Sequence, residues 1–131
     1  MPLNHEPTTT NHEPQHGIEW VIEAHGCDAA TLADVSRLER LFEQLTREMN
    51  LHPLGRSSWH QFPNTGGITG VSLLQESHLA CHTFPEFGSL CLNLFCCRER
   101  ADGDFEGIIK TELHAAFVRV RKIERPYSEL S

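Results

Sequence analysis

The sequence has no apolar run that approaches the roughly 20 residues needed to span a bilayer. Its N-terminus also lacks a basic stretch followed by an apolar core, which is the pattern of a secretory signal. Basic residues are scarce, since 11 Lys and Arg stand against 18 Asp and Glu and give a net charge of −7. Nucleic acid binding needs a cationic surface, so this charge argues against nucleic acid as a partner. The absences together predict a cytoplasmic protein whose partners include neither a membrane nor a nucleic acid.

The cysteines include no Cys-x-x-Cys pair, and their number, five, is odd. A disulfide framework is therefore not expected, and reduced thiols suit a protein of the cytosol. A zinc site needs several ligands, and no spacing of Cys and His in the chain forms a known zinc pattern. The sequence consequently predicts no metal site, and most of the cysteines are expected to be small buried apolar side chains.

The chain of 131 residues has the size of one domain. Its hydrophobic share of 39% and its charged share of 22% are those of a globular protein. Residues 1–16 differ, because they carry Asn-His-Glu-Pro twice, with three prolines and almost no apolar side chains. Such a segment cannot bury enough surface to become ordered. We therefore predict a disordered tail over residues 1–16 and a single domain over residues 17–131.

The hydrophobic pattern predicts both helices and strands. Apolar residues recur at three- and four-residue intervals between Leu32 and Met49, which predicts an amphipathic helix of about 20 residues. A second helix is predicted over residues 105–117. Extended segments are predicted at residues 18–24, 57–62, 70–75, 78–84, 89–97 and 118–123. Two helices with several hairpin-linked strands predict an α+β fold, a two-layer sandwich in which the helices cover one face of a largely antiparallel sheet.

The segment from Glu76 to Glu86 reads Glu-Ser-His-Leu-Ala-Cys-His-Thr-Phe-Pro-Glu and is the most informative part of the chain. It resembles the self-processing site of the small prokaryotic S-adenosylmethionine decarboxylases, where a Glu-Ser-His-(x)3-His-Thr-(aromatic)-Pro-Glu run holds the cleavage point. Residues 89–97 match the hydrophobic strand ending in a cysteine that follows in the family. Upstream, the matching elements are Gly26-Cys27-Asp28, His60-Gln61-Phe62 and Gly67-Ile68-Thr69-Gly70-Val71. The resemblance covers residues 17–97 and implies the same sandwich fold, with the second sheet face available for dimer contact.

The resemblance implies that the chain cuts itself between Glu76 and Ser77 and converts Ser77 into a pyruvoyl cofactor. The Ser77 hydroxyl attacks the carbonyl of Glu76, and the peptide bond shifts to an ester. A base then removes the Ser77 Cα proton, the ester leaves, and the dehydroalanine hydrolyses to the pyruvoyl group. A decarboxylase needs such a carbonyl as an electron sink, because no ordinary side chain provides one. The implied reaction is decarboxylation of S-adenosylmethionine, whose product serves polyamine (spermidine) biosynthesis.

The resemblance also implies roles for residues around this cut. His82 matches the processing base, because an imidazole is the side chain best suited to take up a proton near neutral pH. Thr69 stands where the family has a serine that assists processing by hydrogen bonding, and His78 is a second supporting residue. Cys97 matches the cysteine that donates a proton to Cα after CO2 has left. Alternate residues of a strand share a face, so only one of Cys96 and Cys97 is expected to reach the site.

The substrate pocket is implied by aromatic positions. Phe62 and Phe84 match two residues that hold the adenine ring in the family, although Phe84 replaces the usual tryptophan. A base stacked on an aromatic side chain gains roughly 1–3 kcal/mol. Glu86 is expected to contact the polar parts of the ligand, while Asn93 stands where the family strand usually carries an aspartate.

The residues themselves leave other interpretations open. His78 and His82 are also compatible with polar positions on an exposed strand face, and Phe62 and Phe84 with core positions. The same pyruvoyl chemistry on a free amino acid such as ornithine or arginine is a second hypothesis, since the electron sink is generic and the pocket sets specificity. A third is an unprocessed, non-catalytic homologue. The expected assembly is a homodimer of processed protomers acting on a small-molecule substrate.

Overall fold

The computed structural model describes residues 15–129, and its centre is one antiparallel sheet of six strands. The strands are β1 His16–His25, β2 Ser58–Gln61, β3 Ile68–Leu74, β4 Ser77–Phe84, β5 Ser89–Cys96 and β6 Phe117–Pro126. They lie in the order β2-β3-β4-β5-β1-β6, and every neighbouring pair is antiparallel. Each of the six predicted strands is therefore present. The predicted tail lies outside the described residues except for Gln15 and His16, and His16 already belongs to β1.

Within residues 15–129 the structure has three α-helices: α1 Ala29–Leu32, α2 Val35–Glu48 and α3 Phe105–Leu113. The single helix predicted between Leu32 and Met49 was wrong in one respect, because the chain breaks it into α1 and α2. The break lies at Asp34, whose carboxylate accepts hydrogen bonds from the backbone N–H groups of Ser36 and Arg37 and so caps α2. The helical layer thus contains three helices instead of two, and the predicted α+β sandwich is confirmed.

The helices pack on one face of the sheet, which we call the covered face. The core lies between the helices and the sheet, and its buried cluster includes Trp20 and Ile22 of β1 and Leu41 and Leu45 of α2. The opposite, open face carries the other half of each strand, and most of its side chains are exposed or half-buried. Among the described residues, none of the helices is long and apolar enough to cross a membrane.

The connections decide which part of the chain supplies each strand. β3 and β4 form a hairpin through Gln75 and Glu76. We call the part of the chain before this turn the first half and the part after it the second half. β1 belongs to that first half, yet it lies between β5 and β6 of the second half. The two halves of the chain are therefore interleaved within one sheet.

Candidate active site

The bond predicted to break lies at the tip of the β3–β4 hairpin. Leu74 pairs with Ser77, which leaves Gln75 and Glu76 as the turn. Both turn residues are exposed, and Ser77 is half-buried. The Gln75 N–H donates to the carbonyl of His52 over 2.8 Å, which ties the turn to the preceding loop. The Glu76–Ser77 peptide bond is thus accessible and held at the junction of two strands.

The end of β5 meets this hairpin and completes what we call the scissile cluster, consisting of Glu76, Ser77, Cys96, Cys97 and Arg98. Ser77 pairs with Cys96 across the sheet. The Cys97 N–H donates to the carbonyl oxygen of Glu76 over 2.9 Å. The Arg98 guanidinium holds the Glu76 carboxylate through two contacts, Nε to Oε1 at 2.8 Å and Nη2 to Oε2 at 3.1 Å. The structure therefore places Cys97 directly beside the predicted cut.

The two neighbouring cysteines of this cluster have different environments. Cys96 is buried, and burial raises the pKa of its thiol, although the Arg100 guanidinium and the Ser77 hydroxyl partly oppose that effect. Cys97 is an exposed free thiol. Of the two thiols, that of Cys97 is the one accessible from solvent.

A second group, the histidine cluster, lies on the open face of β2, β3 and β4 and consists of Thr69, His82, His60, Phe62 and Phe84. The Thr69 hydroxyl and Nδ1 of His82 are hydrogen-bonded over 3.0 Å across the β3–β4 ladder. His60 pairs with Thr69 from β2, and its ring meets the ring of Phe62 edge-on with centroids 4.8 Å apart. Phe84 is exposed on the same side, two residues after His82. Both aromatic residues that were predicted to bind adenine therefore lie on the same face of the sheet as His82.

The scissile cluster and the histidine cluster are separated within one chain. Ser77 and His82 are five residues apart on the regular strand β4, which corresponds to about 17 Å at the rise of an antiparallel strand. They also lie on opposite faces, because five is an odd number of residues. The structure brings Ser77 and Cys97 together but holds His82 and Thr69 away from them. Glu86 lies in the short 3-10 turn Pro85–Phe87 that follows β4, on the histidine side.

His78 occupies the open face next to the scissile bond. Its ring stacks on Phe95 with centroids 5.7 Å apart and an angle of 19° between the ring planes. The Arg125 guanidinium lies 5.8 Å from the centre of the Phe95 ring and pairs with Glu19. Asn93, where the family usually has an aspartate, donates to the carboxylate of Glu19 over 2.9 Å. A carboxylate is thus present at this place although it comes from β1.

Sequence reasoning missed the residues that reach the site from β1 and β6. Glu19, Arg125 and Tyr127 lie far from the motif in the chain, and the Tyr127 hydroxyl donates to the carbonyl of Cys97 over 3.1 Å. One sequence signal was available for this part of the site. Alternate residues of β5 share a face, which puts Phe95 on the same face as Asn93. Among residues 15–129, no group of three or more His, Cys, Asp or Glu side chains is arranged to hold a metal ion.

Comparison with known proteins identifies the family of this chain. A sequence model of the family described as "S-adenosylmethionine decarboxylase" matches residues 18–126, which include both clusters. The chain belongs to the S-adenosylmethionine decarboxylase family. Residues after Cys97, where the motif similarity is weak, are therefore also part of the family domain.

Several relatives in this S-adenosylmethionine decarboxylase family carry the name "S-adenosylmethionine decarboxylase proenzyme". The protein from Picrophilus torridus is 33% identical over 111 residues, which cover 83% of each chain. The protein from Pyrococcus furiosus is 30% identical over 114 residues, covering 86% of this chain and 81% of its own. The crystal structure of the adenosylmethionine decarboxylase from Aquifex aeolicus superposes with a TM-score of 0.71 at 26% identity, over 89% of this chain and 96% of that one.

Proposed function

We propose that this protein is a self-processing, pyruvoyl-dependent decarboxylase of S-adenosylmethionine. The observation that carries the proposal is the scissile cluster, in which the hydroxyl, the carbonyl and the thiol that the chemistry needs lie at one hairpin tip. Family membership supports the reaction, since the relatives are named as proenzymes of this decarboxylase. The product, decarboxylated S-adenosylmethionine, is the one that spermidine biosynthesis uses.

The residues of the scissile cluster have separate tasks in this proposal. The Ser77 hydroxyl is the nucleophile of the self-cleavage, and Glu76 supplies the carbonyl that it attacks. A pyruvoyl group at position 77 supplies an electron sink for the loss of CO2. The exposed Cys97 thiol, which lies beside the cut, delivers a proton to the substrate carbon that has lost CO2. His78, stacked on Phe95, forms one wall of this end of the site.

Self-cleavage is tested by the mass of the purified protein. The intact chain should disappear and leave fragments 1–76 and 77–131, and the second fragment should carry a pyruvoyl end. Ser77→Ala lacks the nucleophile and should remain full-length and inactive, whereas Ser57→Ala, which removes a serine hydroxyl outside both clusters, should be cleaved as the wild type is. A wild-type protein that stays intact on long incubation contradicts the proposal and favours a non-catalytic homologue.

Substrate preference follows from the histidine cluster. Phe62 and Phe84 are both exposed on the open face, so they offer ring faces that an adenine can use and that a linear amino acid cannot. The expected result is release of 14CO2 from carboxyl-labelled S-adenosylmethionine in preference to ornithine and arginine at equal concentration. Release from ornithine or arginine alone contradicts the substrate but leaves the pyruvoyl chemistry in place.

We further propose that the working form is a homodimer, because the site is incomplete in one chain. His82 is about 17 Å from Ser77 along β4 and cannot remove the Ser77 Cα proton of its own chain. In a two-fold dimer that joins the open faces, the scissile cluster of one protomer can meet the partner's His82 and Thr69. Exposed apolar side chains on that face support the contact: Phe62, Val71, Leu73, Phe84, Phe117 and Ile123.

The cytoplasm is the compartment that this chemistry favours. All five cysteines are free thiols, and Cys97 has to remain reduced in order to carry a proton. A reducing compartment maintains that state.

A further inference from the structure

A cleft of about 800 Å³ lies on the covered-face side of the sheet, between α2 and the strands β2 and β3. Phe42 and Thr46 line its helix wall, Trp59 and Ser72 line its sheet wall, and the loop before β2 contributes Pro53. Ligand sites in proteins typically measure roughly 300–1,000 Å³. The cleft has that size, and it shares no residue with the scissile cluster or the histidine cluster.

The indole of Trp59 is held in place on the sheet wall of this cleft. Its ring lies on the backbone of Gly70, where a Cβ atom would come within 2.1 Å of Cζ3, and the Phe42 ring lies beside it with centroids 4.8 Å apart. The Nε1–H of Trp59 is buried, and it has no hydrogen-bond partner within residues 15–129. A buried tryptophan N–H ordinarily has an acceptor. The wall therefore lacks one acceptor atom, which a bound molecule could supply.

Charged residues of both signs line the rim of the cleft. Glu39 and Glu43 lie about one turn apart on α2, Arg47 follows one turn later, and Arg56 belongs to the loop before β2. All four are exposed, and the described part of the chain gives none of them an ion-pair partner. Carboxylates attract an ammonium group, and the planar fork of an arginine suits a carboxylate. The rim therefore suits a small molecule that carries both groups.

We propose that this cleft binds a small zwitterion with the chemistry of an aliphatic α-amino acid. Its ammonium group faces Glu39 and Glu43, its carboxylate faces Arg47 and Arg56, and its apolar chain lies against the aromatic rings of the cleft. The site is independent of the proposed decarboxylation, because it contains no residue of either cluster. It also stays accessible in a dimer that joins the open faces, since it lies on the side of the helices.

The test uses the full-length Ser77→Ala chain, which has no pyruvoyl group with which an amine could condense. L-Norleucine should change the fluorescence of Trp59 in a saturable way, with a dissociation constant of about 1 mM or below, because a ligand of few atoms gains limited binding energy. Pentylamine is the same molecule without the carboxylate, and hexanoate is the same molecule without the ammonium group. Each should bind about fivefold more weakly, the upper end of the effect of one exposed ion pair.

Matched variants locate the binding. Arg56→Gln should weaken norleucine binding about fivefold, whereas Arg119→Gln, the same change on β6 at the opposite edge of the sheet, should leave it unchanged. Trp59→Phe should abolish the fluorescence response, because the second of the two tryptophans, Trp20, lies in the core. Melting temperatures should show that each variant is folded.

Four results would overturn the proposal. They are a fluorescence change that does not saturate, a change that persists in Trp59→Phe, norleucine binding that Arg56→Gln leaves intact, and binding of pentylamine or hexanoate as tight as that of norleucine. None of these results bears on self-cleavage, which the Ser77→Ala chain cannot perform. Failure of this proposal is therefore distinct from failure of the proposed function.

Discussion

At the scale of single residues, the thiol of Cys97 is expected to protect the mature enzyme from inactivation during turnover. With Cys97→Ala, processing should be complete, but the substrate carbon then lacks its proton donor. Misplaced protonation should convert the pyruvoyl group to alanine, so activity should fall to zero over successive turnovers. Mass spectrometry of fragment 77–131 before and after incubation with S-adenosylmethionine measures this conversion. Cys27→Ala, which removes a buried thiol outside the site, should retain steady turnover.

The motif supplied the candidate site residues, but it did not predict which of them lie close together in the structure. The residues from Glu76 to Glu86 are contiguous in sequence, and we expected Ser77, His82 and Cys97 to form one site. Consecutive residues of an extended strand lie about 3.4 Å apart. Ser77 and His82 are therefore far from each other in space, although only five positions separate them along β4. The contacts of Glu19 with Asn93 and of Tyr127 with Cys97 depend on the order of the strands in the sheet. The residue pattern around the motif does not reveal that order.

At the scale of elements, the periodicity of apolar residues predicted the strands and the covered face well but missed the break between α1 and α2. Leu32, Val35 and Leu38 continue a helical spacing through Asp34, so the pattern reads as one helix. The chain can break there at little cost, because the Asp34 carboxylate accepts two of the N–H groups that a helix start leaves unpaired. Capping is a local polar effect that hydrophobic spacing does not report.

This cap gives a prediction about stability. Asp34→Ala should lower the free energy of unfolding by about 1 kcal/mol, the usual value of a lost N-cap. Asp34→Asn keeps an oxygen acceptor and should stay close to the parent protein. Urea denaturation should be performed in the Ser77→Ala background, so that every variant is a single uncut chain. An Asp34→Ala protein as stable as the parent would show that the break between the helices is held by other contacts.

At the scale of the whole molecule, the separation of the two clusters makes the dimer testable by complementation. Ser77→Ala and His82→Ala chains should each remain uncut alone, since each homodimer lacks one required group. When they are co-expressed, the mixed dimer contains one complete site, formed by Ser77 of the His82→Ala chain and the partner's His82. The His82→Ala chain should then be cleaved, and fragment masses with light scattering should record it.

The control for this experiment is a chain that carries both substitutions. Co-expressed with His82→Ala, it offers a partner surface but no histidine, and no cleavage should follow. An uncut His82→Ala chain in verified mixed dimers, or a processed protomer that is monomeric at micromolar concentration, contradicts assembly of the site across two chains.

The interleaving of the sheet also determines what maturation does to folding. After the proposed cut between Glu76 and Ser77, β1 of the first fragment would still lie between β5 and β6 of the second, so neither fragment could leave without unfolding the sheet. The uncut chain folds in a unimolecular reaction, whereas recovery of the mature protein from denaturant requires two polypeptides to find each other. Its reassociation is therefore second-order, and its thermal midpoint rises with protein concentration. The strand order therefore favours folding of the intact chain before the proposed cut, because the intact chain folds without having to find a second fragment.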